Sequence, residues 1–328
     1  MPRRNEYDVT NSINTTDPQA VNSEVSRIFL ELYPKASDDT IGRAFEDSSR
    51  LYRGEYPGYR PCDTGYHNLQ HALDVTLAMA RLMDGYERSR VRSEPVGARL
   101  FGFGIVTALF HDIGYLRHWH DSRHQNGAEY TARHVSRGAR FLEQYMSELG
   151  MEDLATVAAR IIHFTGYEMP VDRIVVPNLM FRRLGNMLGT ADIMAQMADR
   201  CYLEKCRDRL YPEFVAGGLA ASDTVEPSAT ALFSSPEDML RKTPSFYRSA
   251  SHRLNQLLGA AHRYVQAHFG GQNLYLEEVR KNIQHAERLA ENGNIYRLLR
   301  RTPPPAIHSR SMRRRPAGEA PAQTAIRC

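Results

Sequence analysis

The stretch that decides the fold is ARLFGFGIVTALFHDIGY, residues 98–115. Its apolar run, 101–110, is too uniformly hydrophobic for a surface helix. It therefore predicts a central, buried helix over residues 96–114. The run ends in the adjacent pair His111 and Asp112. An ionised aspartate among apolar neighbours is costly unless a positive charge compensates it. The pair therefore predicts a metal site at the end of the buried helix.

A second stretch, YHNLQHA at residues 66–72, carries two histidines four residues apart, His67 and His71. On a helix, side chains at this spacing leave the same face. Two interpretations are open: both histidines bind metal, or they divide the roles. We favour the second, in which His71, deeper in the helix, is a metal ligand. His67, at the start of the helix, then donates a proton to a leaving group.

Three further residues are candidate metal ligands. Asp192 lies in the segment GTADIMA, whose small and apolar neighbours offer no charged partner. This setting suits a buried ligand from a distant helix, although a capping or ion-paired aspartate is the alternative. His124 and His163 are candidates for a second metal, against the alternative of histidines that are only hydrogen-bonded. Three more histidines in this region are interpreted as mobile surface residues: His118, His120 and His134.

Composition narrows the class of protein. With 328 residues, 42% hydrophobic and 24% charged, the chain matches a globular protein of one or two domains. No apolar run approaches the ~20 residues of a membrane span, and the polar N-terminus has no signal-peptide core. The four cysteines lack C-x-x-C spacing, which is typical of reduced thiols. We therefore expect a cytoplasmic protein without membrane contact. The net charge of +4 is modest, so nucleic acid is not an expected partner.

Helical periodicity recurs along nearly the whole chain, and strand-like alternation of Val, Ile and Thr is almost absent, which predicts an all-α fold. Asp17 is placed to cap the first helix, with Pro18 at its first position. The predicted organisation is a disordered N-terminus (1–17), N-terminal helices (18–60), a metal-dependent catalytic core (61–212), a loop (213–240), C-terminal helices (241–301) and a disordered basic tail (302–328).

The ordered set of candidate ligands resembles that of the HD-domain superfamily of metal-dependent phosphohydrolases. The segment YHNxxHAxDV, residues 66–75, is similar to the first motif of class I cyclic nucleotide phosphodiesterases. The resemblance covers roughly residues 60–210 and implies an HD-domain helical bundle with extra N- and C-terminal helices. Tyr115 stands where eukaryotic phosphodiesterases place a further histidine, and the Gly-Tyr-Pro motif of relatives that degrade cyclic di-GMP is absent. The substrate therefore stays open.

The resemblance implies a site with two divalent metal ions, chosen from Zn, Fe, Mn, Ni or Mg. It implies that the first ion is held by His71, His111, Asp112 and Asp192, and that Asp112 bridges to the second. The implied activity is hydrolysis of a phosphodiester or nucleotide, in which a metal-bridging hydroxide attacks phosphorus and His67 acts as the general acid. Contacts with this small phosphorylated substrate are expected from Tyr66, Asn68 and Gln196.

Two other functions remain open. A mixed-valent di-iron oxygenase on the same scaffold has a similar ligand set, but such an enzyme needs no general acid at His67. A catalytically silent nucleotide-binding sensor is the third hypothesis, in which the outer helices and the basic tail bind a partner. The apolar faces of those outer helices either complete the core or form a homodimer interface.

Overall fold

The computed structural model describes residues 3–221, 231–291, 295–299 and 301–306. Over these residues the chain forms helices, turns and three isolated bridges, so the predicted all-α fold is confirmed. In the same ranges every helix is too short or too polar to cross a membrane. The α-helices are α1 (Pro18–Leu32), α2 (Asp39–Arg53), α3 (Leu69–Ser89), α4 (Gly97–Leu109), α5 (His134–Glu148), α6 (Glu152–Ile161), α7 (Leu179–Ala198), α8 (Tyr202–Lys205), α9 (Tyr211–Ala216), α10 (Pro236–His252), α11 (Val265–His268) and α12 (Leu274–Glu291).

The core is built around α3 and α4, with α7 packed against both. Residues 101–109 of α4 are all buried, which confirms the predicted central helix. This helix is shorter than expected, however, because α4 ends at Leu109 and a 3₁₀ turn follows at Ile113–Tyr115. The turn brings Gly114 so close to α5 that a Cβ atom there would lie 1.8 Å from the carbonyl oxygen of His134. The His-Asp pair therefore sits in a tight connection beyond the helix.

The first turn of α3 is set by its N-cap, Asn68. The Asn68 side chain accepts hydrogen bonds from the backbone N–H groups of Gln70 and His71, so two of the free donors at the helix start are satisfied. His71 therefore lies inside the helix, whereas His67 precedes the cap. The expectation that both histidines share one helical face is replaced by a loop histidine beside a helical one, with ring centroids 5.8 Å apart.

The N-terminal segment is packed where disorder was expected. Residues 3–17 are described, and Asp8 is buried against α3. Its carboxylate pairs with Arg81 at 2.6 Å and accepts hydrogen bonds from the backbone N–H groups of Ser12 and Ile13. Arg81 is itself only 1% exposed. A buried charge that is paired in this way ties the segment to the core.

The predicted loop over residues 213–240 is partly helical. α9 runs to Ala216, and α10 begins at Pro236 after the N-cap Ser235. Glu213 therefore lies in a helix and is buried. In the C-terminal half, α12 packs on α7 and α10. Of the predicted disordered tail, residues 302–306 are described, and Asn5 donates a hydrogen bond to the carbonyl of Thr302 at 3.0 Å; its remaining residues lie outside the described ranges.

Candidate metal centre

Four side chains converge where α3, α4 and α7 meet. His71 lies in the first turn of α3, His111 and Asp112 follow the end of α4, and Asp192 comes from α7. Asp112 Oδ2 lies 3.4 Å from His71 Nε2 and 3.2 Å from His111 Nε2. Asp192 Oδ1 lies 3.2 Å from His71 Nε2 and 3.8 Å from His111 Nε2. The structure thus brings together the four residues that the sequence assigned to a first metal ion.

The donor set fits a single cation. His111 Nε2 and Asp112 Oδ2 are buried and have no hydrogen-bond partner among the described residues, which is rare for buried polar atoms. Donors held about 2.0–2.2 Å from a zinc ion at tetrahedral angles lie about 3.4 Å from one another. The separations given above scatter around that value. His71, His111 and Asp112 could therefore hold a metal ion.

The tautomers of two histidines also suit metal binding. The Nδ1–H of His111 donates to the carbonyl of Ala108 at 2.8 Å, and the Nδ1–H of His134 donates to the carbonyl of Thr131 at 2.7 Å. In the neutral form of each ring, this bond leaves Nε2 as the nitrogen with a free lone pair. A backbone carbonyl behind the ring is a common support for a metal-binding histidine.

Electrostatics show which species a cation would meet. Burial favours the neutral ring of His111, but the neighbouring carboxylates of Asp112 and Asp192 outweigh burial and raise the pKa of His111 to about 9. Burial likewise opposes ionisation of Asp112, yet the surrounding histidines hold the pKa of its carboxyl well below the usual range. Near neutral pH, His111 is therefore protonated at Nε2, and this proton occupies the position in which a cation would be held.

Asp112 faces a second position through its other oxygen. Oδ1 lies 3.6 Å from His134 Nε2, whereas Oδ2 faces His71 and His111. Burial lowers the pKa of His134, which keeps its ring in the neutral form that can bind a cation.

His134 was predicted to be a mobile surface residue, and that prediction is wrong, because its side chain is only 16% exposed and faces Asp112. Helical periodicity predicts one helix over residues 126–149, which would place His134 in its middle. In the structure, a 3₁₀ turn at Gly127–Tyr130 precedes α5, and His134 is the first residue of α5. A histidine at the first position of a helix can present its ring to a neighbouring turn, which a mid-helix placement does not indicate.

A histidine paired with a carboxylate lies beside the centre. His67 Nδ1 pairs with Glu213 Oε2 at 2.5 Å, and the backbone N–H groups of Tyr66 and His67 also donate to the Glu213 carboxylate. Burial disfavours the charged ring, but the Glu213 carboxylate outweighs burial and raises the pKa of His67. Nε2 is then the nitrogen that is left to act on a substrate. Sequence reasoning missed Glu213, since its segment was interpreted as a loop.

Tyr115 holds the rings of the two outer histidines in place. Its ring stacks on His67, with centroids 4.4 Å apart and planes at 14°. On its other face it stacks on His134, at 4.3 Å and 20°. The aromatic residue that stands in the place of a further histidine therefore restricts the orientation of both histidine rings.

These side chains line a cavity of about 830 Å³. Its polar wall includes His67, His71, Asp112, His134 and Asp192. Its apolar wall is formed by residues from the second half of the chain: Tyr202, Leu210, Phe214, Leu219, Leu232, Phe233, Met239 and Phe246. A cavity of this size can enclose a small organic molecule.

The remaining predicted residues divide into two groups. Tyr66 and Gln196 line the cavity, so their assignment to substrate binding stays a prediction. Asn68 does not line it, because its side-chain amide donates to the carbonyl of Gly65 and its oxygen caps α3.

His124, a candidate ligand of a second metal, is hydrogen-bonded to Asp121, Tyr130 and Arg133, away from the cluster. His163 Nδ1 is buried without a hydrogen-bond partner in the described structure, but the ring does not line the cavity.

The chain was compared with models of protein families, with curated proteins and with solved structures. None of the three comparisons finds a match.

Proposed function

We propose that this protein is a metal-dependent phosphohydrolase of the HD-domain type, acting on a phosphodiester or nucleotide. One observation carries the proposal: two members of the cluster of His71, His111 and Asp112, namely His71 and Asp112, line the same cavity as His67, whose charged form is stabilised by Glu213. Cation ligands and a proton donor on one cavity are what hydrolysis of a phosphoester requires.

Two divalent cations are the proposed cofactors. The first would be held by His71, His111, Asp112 and Asp192. The second would be held in part by Asp112 Oδ1 and His134 Nε2, which face each other at 3.6 Å. When bound, such cations offset negative charge on phosphoryl oxygens and lower the pKa of a coordinated water.

His67 supplies the proton that the leaving group needs. An alkoxide leaves poorly from phosphorus unless it is protonated as the bond breaks, and a placed general acid contributes about 10²–10⁴-fold in rate. The Glu213 carboxylate fixes Nδ1 and favours the charged ring, so that Nε2 can deliver its proton. Tyr115 stacks on the ring and keeps it facing the cavity.

The cavity favours a substrate with an organic ring over a bare phosphate. Phe214 and Phe233 lie parallel in its wall, with centroids 5.8 Å apart and planes at 11°. Lys242 also lines the cavity; its ammonium lies 5.6 Å from the centroid of the Phe233 ring and is paired with Asp238 at 2.8 Å. Gln196, one helical turn after Asp192 on α7, can donate and accept hydrogen bonds, which suits the edge of a nucleobase.

The test is turnover of a phosphoester panel by purified protein with Mn²⁺. The panel contains cyclic mononucleotides, cyclic dinucleotides, nucleoside phosphates and bis-p-nitrophenyl phosphate. The variant His111→Ala removes one proposed metal ligand. The matched control is His120→Ala, which replaces an exposed histidine outside the cavity. We expect turnover in the wild type and the control and none in His111→Ala.

Turnover that survives in His111→Ala, or that ignores a chelator, would contradict the proposal. Iron-dependent oxygen uptake without phosphoester turnover would favour the oxygenase hypothesis. Tight nucleotide binding without turnover under several metals would favour the sensor.

A further inference from the structure

A second concavity, lined by arginine and histidine side chains, lies beside the cavity of the candidate metal centre. We call it the arginine groove; it has a volume of about 550 Å³ and is lined by residues that include His118, His120, Arg123, Arg133, Arg137 and Arg140. One short segment separates it from the centre. Tyr130 and Arg133 line the groove, while Thr131, Ala132 and His134 line the cavity.

Three of the arginines carry charge that the described structure does not neutralise. Arg123, Arg133 and Arg140 are exposed, and no ion pair joins any of them to a described carboxylate. Asp121 is the acid in the lining of the groove, and its carboxylate is engaged by the Tyr130 hydroxyl and by His124. Like charges gathered on one surface repel each other and attract anions.

Hydrogen bonds and a ring contact hold the wall of the groove in position. His124, predicted as a metal ligand, accepts a hydrogen bond from the Arg133 guanidinium at 2.8 Å through Nε2. Arg137 donates to the carbonyls of Gly114 and Leu116 and lies over the Tyr130 ring at 3.3 Å. His124 and Arg137 therefore support the wall, His124 holds Arg133 through one of its N–H groups, and the guanidinium groups of Arg123 and Arg140 are exposed toward solvent.

Aromatic rings occur in the lining of the groove and next to it in the chain. Trp119, the single tryptophan of the chain, is 71% exposed and stands between two lining residues, His118 and His120. Its backbone is fixed, because Arg60 donates to its carbonyl at 2.9 and 3.1 Å. The His118 and His120 rings stack at 5.5 Å with planes at 18°. Flat aromatic faces beside arginines are typical of surfaces that bind single-stranded nucleic acid.

We propose that the arginine groove binds the phosphate backbone of a single-stranded oligonucleotide, with Trp119 stacked on a base. A single strand is favoured over a duplex because a duplex does not offer unstacked bases to an aromatic face. The proposal goes beyond the phosphohydrolase activity, since binding here needs neither the metal ligands nor His67. It departs from the sequence-based expectation that nucleic acid is not a partner, which stays a prediction.

Binding is measured with the full chain in EDTA, so that hydrolysis does not interfere. The probe is a labelled single strand of about 12 nucleotides, within the ~4–16 that such sites cover. Fluorescence anisotropy gives the affinity, and the emission of Trp119 reports contact at the groove. We expect binding that weakens between about 50 and 200 mM salt, together with a change in tryptophan emission.

The decisive variant replaces Arg123, Arg133 and Arg140 with Ala. Three lost phosphate contacts should weaken binding about tenfold or more at low salt, and should reduce the slope of log affinity against log salt by about 2. The Arg→Lys triple keeps the charge and should keep most of the slope. The matched control is the triple Ala variant of three exposed arginines outside the groove, Arg92, Arg160 and Arg173, which should bind like the wild type.

A second variant, Trp119→Ala, tests stacking separately and should weaken binding about fivefold or more. The proposal is overturned if the groove and control triples weaken binding equally, or if neither does. It is also overturned if pyrophosphate or a mononucleotide competes as well as the strand, which would show a small-anion site. An acidic peptide of equal charge that binds as tightly would point to a protein partner instead.

Discussion

Cation binding at the centre should expel a proton, and the pKa of His111 sets the size of the effect. Burial opposes the charged ring, but Asp112 and Asp192 raise the pKa of His111 to about 9. At about pH 7, roughly 1% of the rings are therefore neutral. Because only the neutral ring can bind a cation, the apparent affinity at this pH should be about 100-fold below its limit above pH 9. This corresponds to roughly 3 kcal/mol.

A proton and a cation compete for the His111 ring. Because a lower pH favours the protonated ring, the affinity for the cation should fall about tenfold per pH unit below about pH 9. The assay is isothermal titration of chelator-treated protein with Mn²⁺ or Zn²⁺ in two buffers that differ in ionisation enthalpy. The difference in heat counts the protons released. We expect about one proton from His111 for the first cation.

Two variants complete this experiment. His111→Ala should lose both the affinity and the released proton, whereas His120→Ala should behave like the wild type, since His120 is exposed and lies outside the cavity. An affinity that is independent of pH between about 7 and 9, or binding without proton release, would refute the reasoning, because a cation would then be held without displacing the His111 proton.

Three further substitutions test the Glu213–His67 pair, the close approach of Gly114 to α5 and the buried Asp8–Arg81 pair. Glu213→Gln removes the charge that raises the pKa of His67, so the alkaline limb of the kcat/KM profile should move to lower pH and kcat should fall about 10–100-fold; an unchanged profile would contradict the proton-donor role. Gly114→Ala places a Cβ atom 1.8 Å from a carbonyl oxygen of α5 and should cost about 2 kcal/mol or more in urea unfolding, and a change near zero would disprove the close approach. Asp8→Asn breaks a buried pair and should cost about 3–5 kcal/mol. Burial opposes its ionisation, but Arg81 lowers the pKa of Asp8; the pair should therefore stabilise the wild type fully above about pH 4 and less as pH falls further, and equal unfolding curves for wild type and variant at neutral pH would rule it out.

Much of the architecture and half of the centre could be predicted from local sequence. Helical periodicity depends on residues three and four apart, so α1, α3 and α4 are visible in the chain. The cap at Asp17 with Pro18 is confirmed, since the Asp17 side chain accepts from the N–H of Gln19. The residues that converge at the candidate metal centre were also recognisable, because an ionised carboxylate among apolar residues is costly without a compensating charge.

Local sequence could not define where α4 stops or how the N-terminus is held. The apolar run continues past Leu109, and only the approach of Gly114 to α5 shows why the chain turns there. Likewise, Asp8 is an ordinary polar residue in a polar segment until Arg81 on α3 is placed beside it. Both outcomes depend on partners far along the chain.

The sequence by itself determined the all-α class, the buried central helix and the identity of the four side chains that converge at the candidate metal centre. The tertiary structure alone decided that His134 faces Asp112, that Glu213 supports His67, and that the groove arginines gather beside the centre. The physical reason is the separation along the chain over which each effect acts. Periodicity and burial cost act between neighbours in the chain, whereas Glu213 meets His67 across 146 residues, through helix packing that no local pattern encodes.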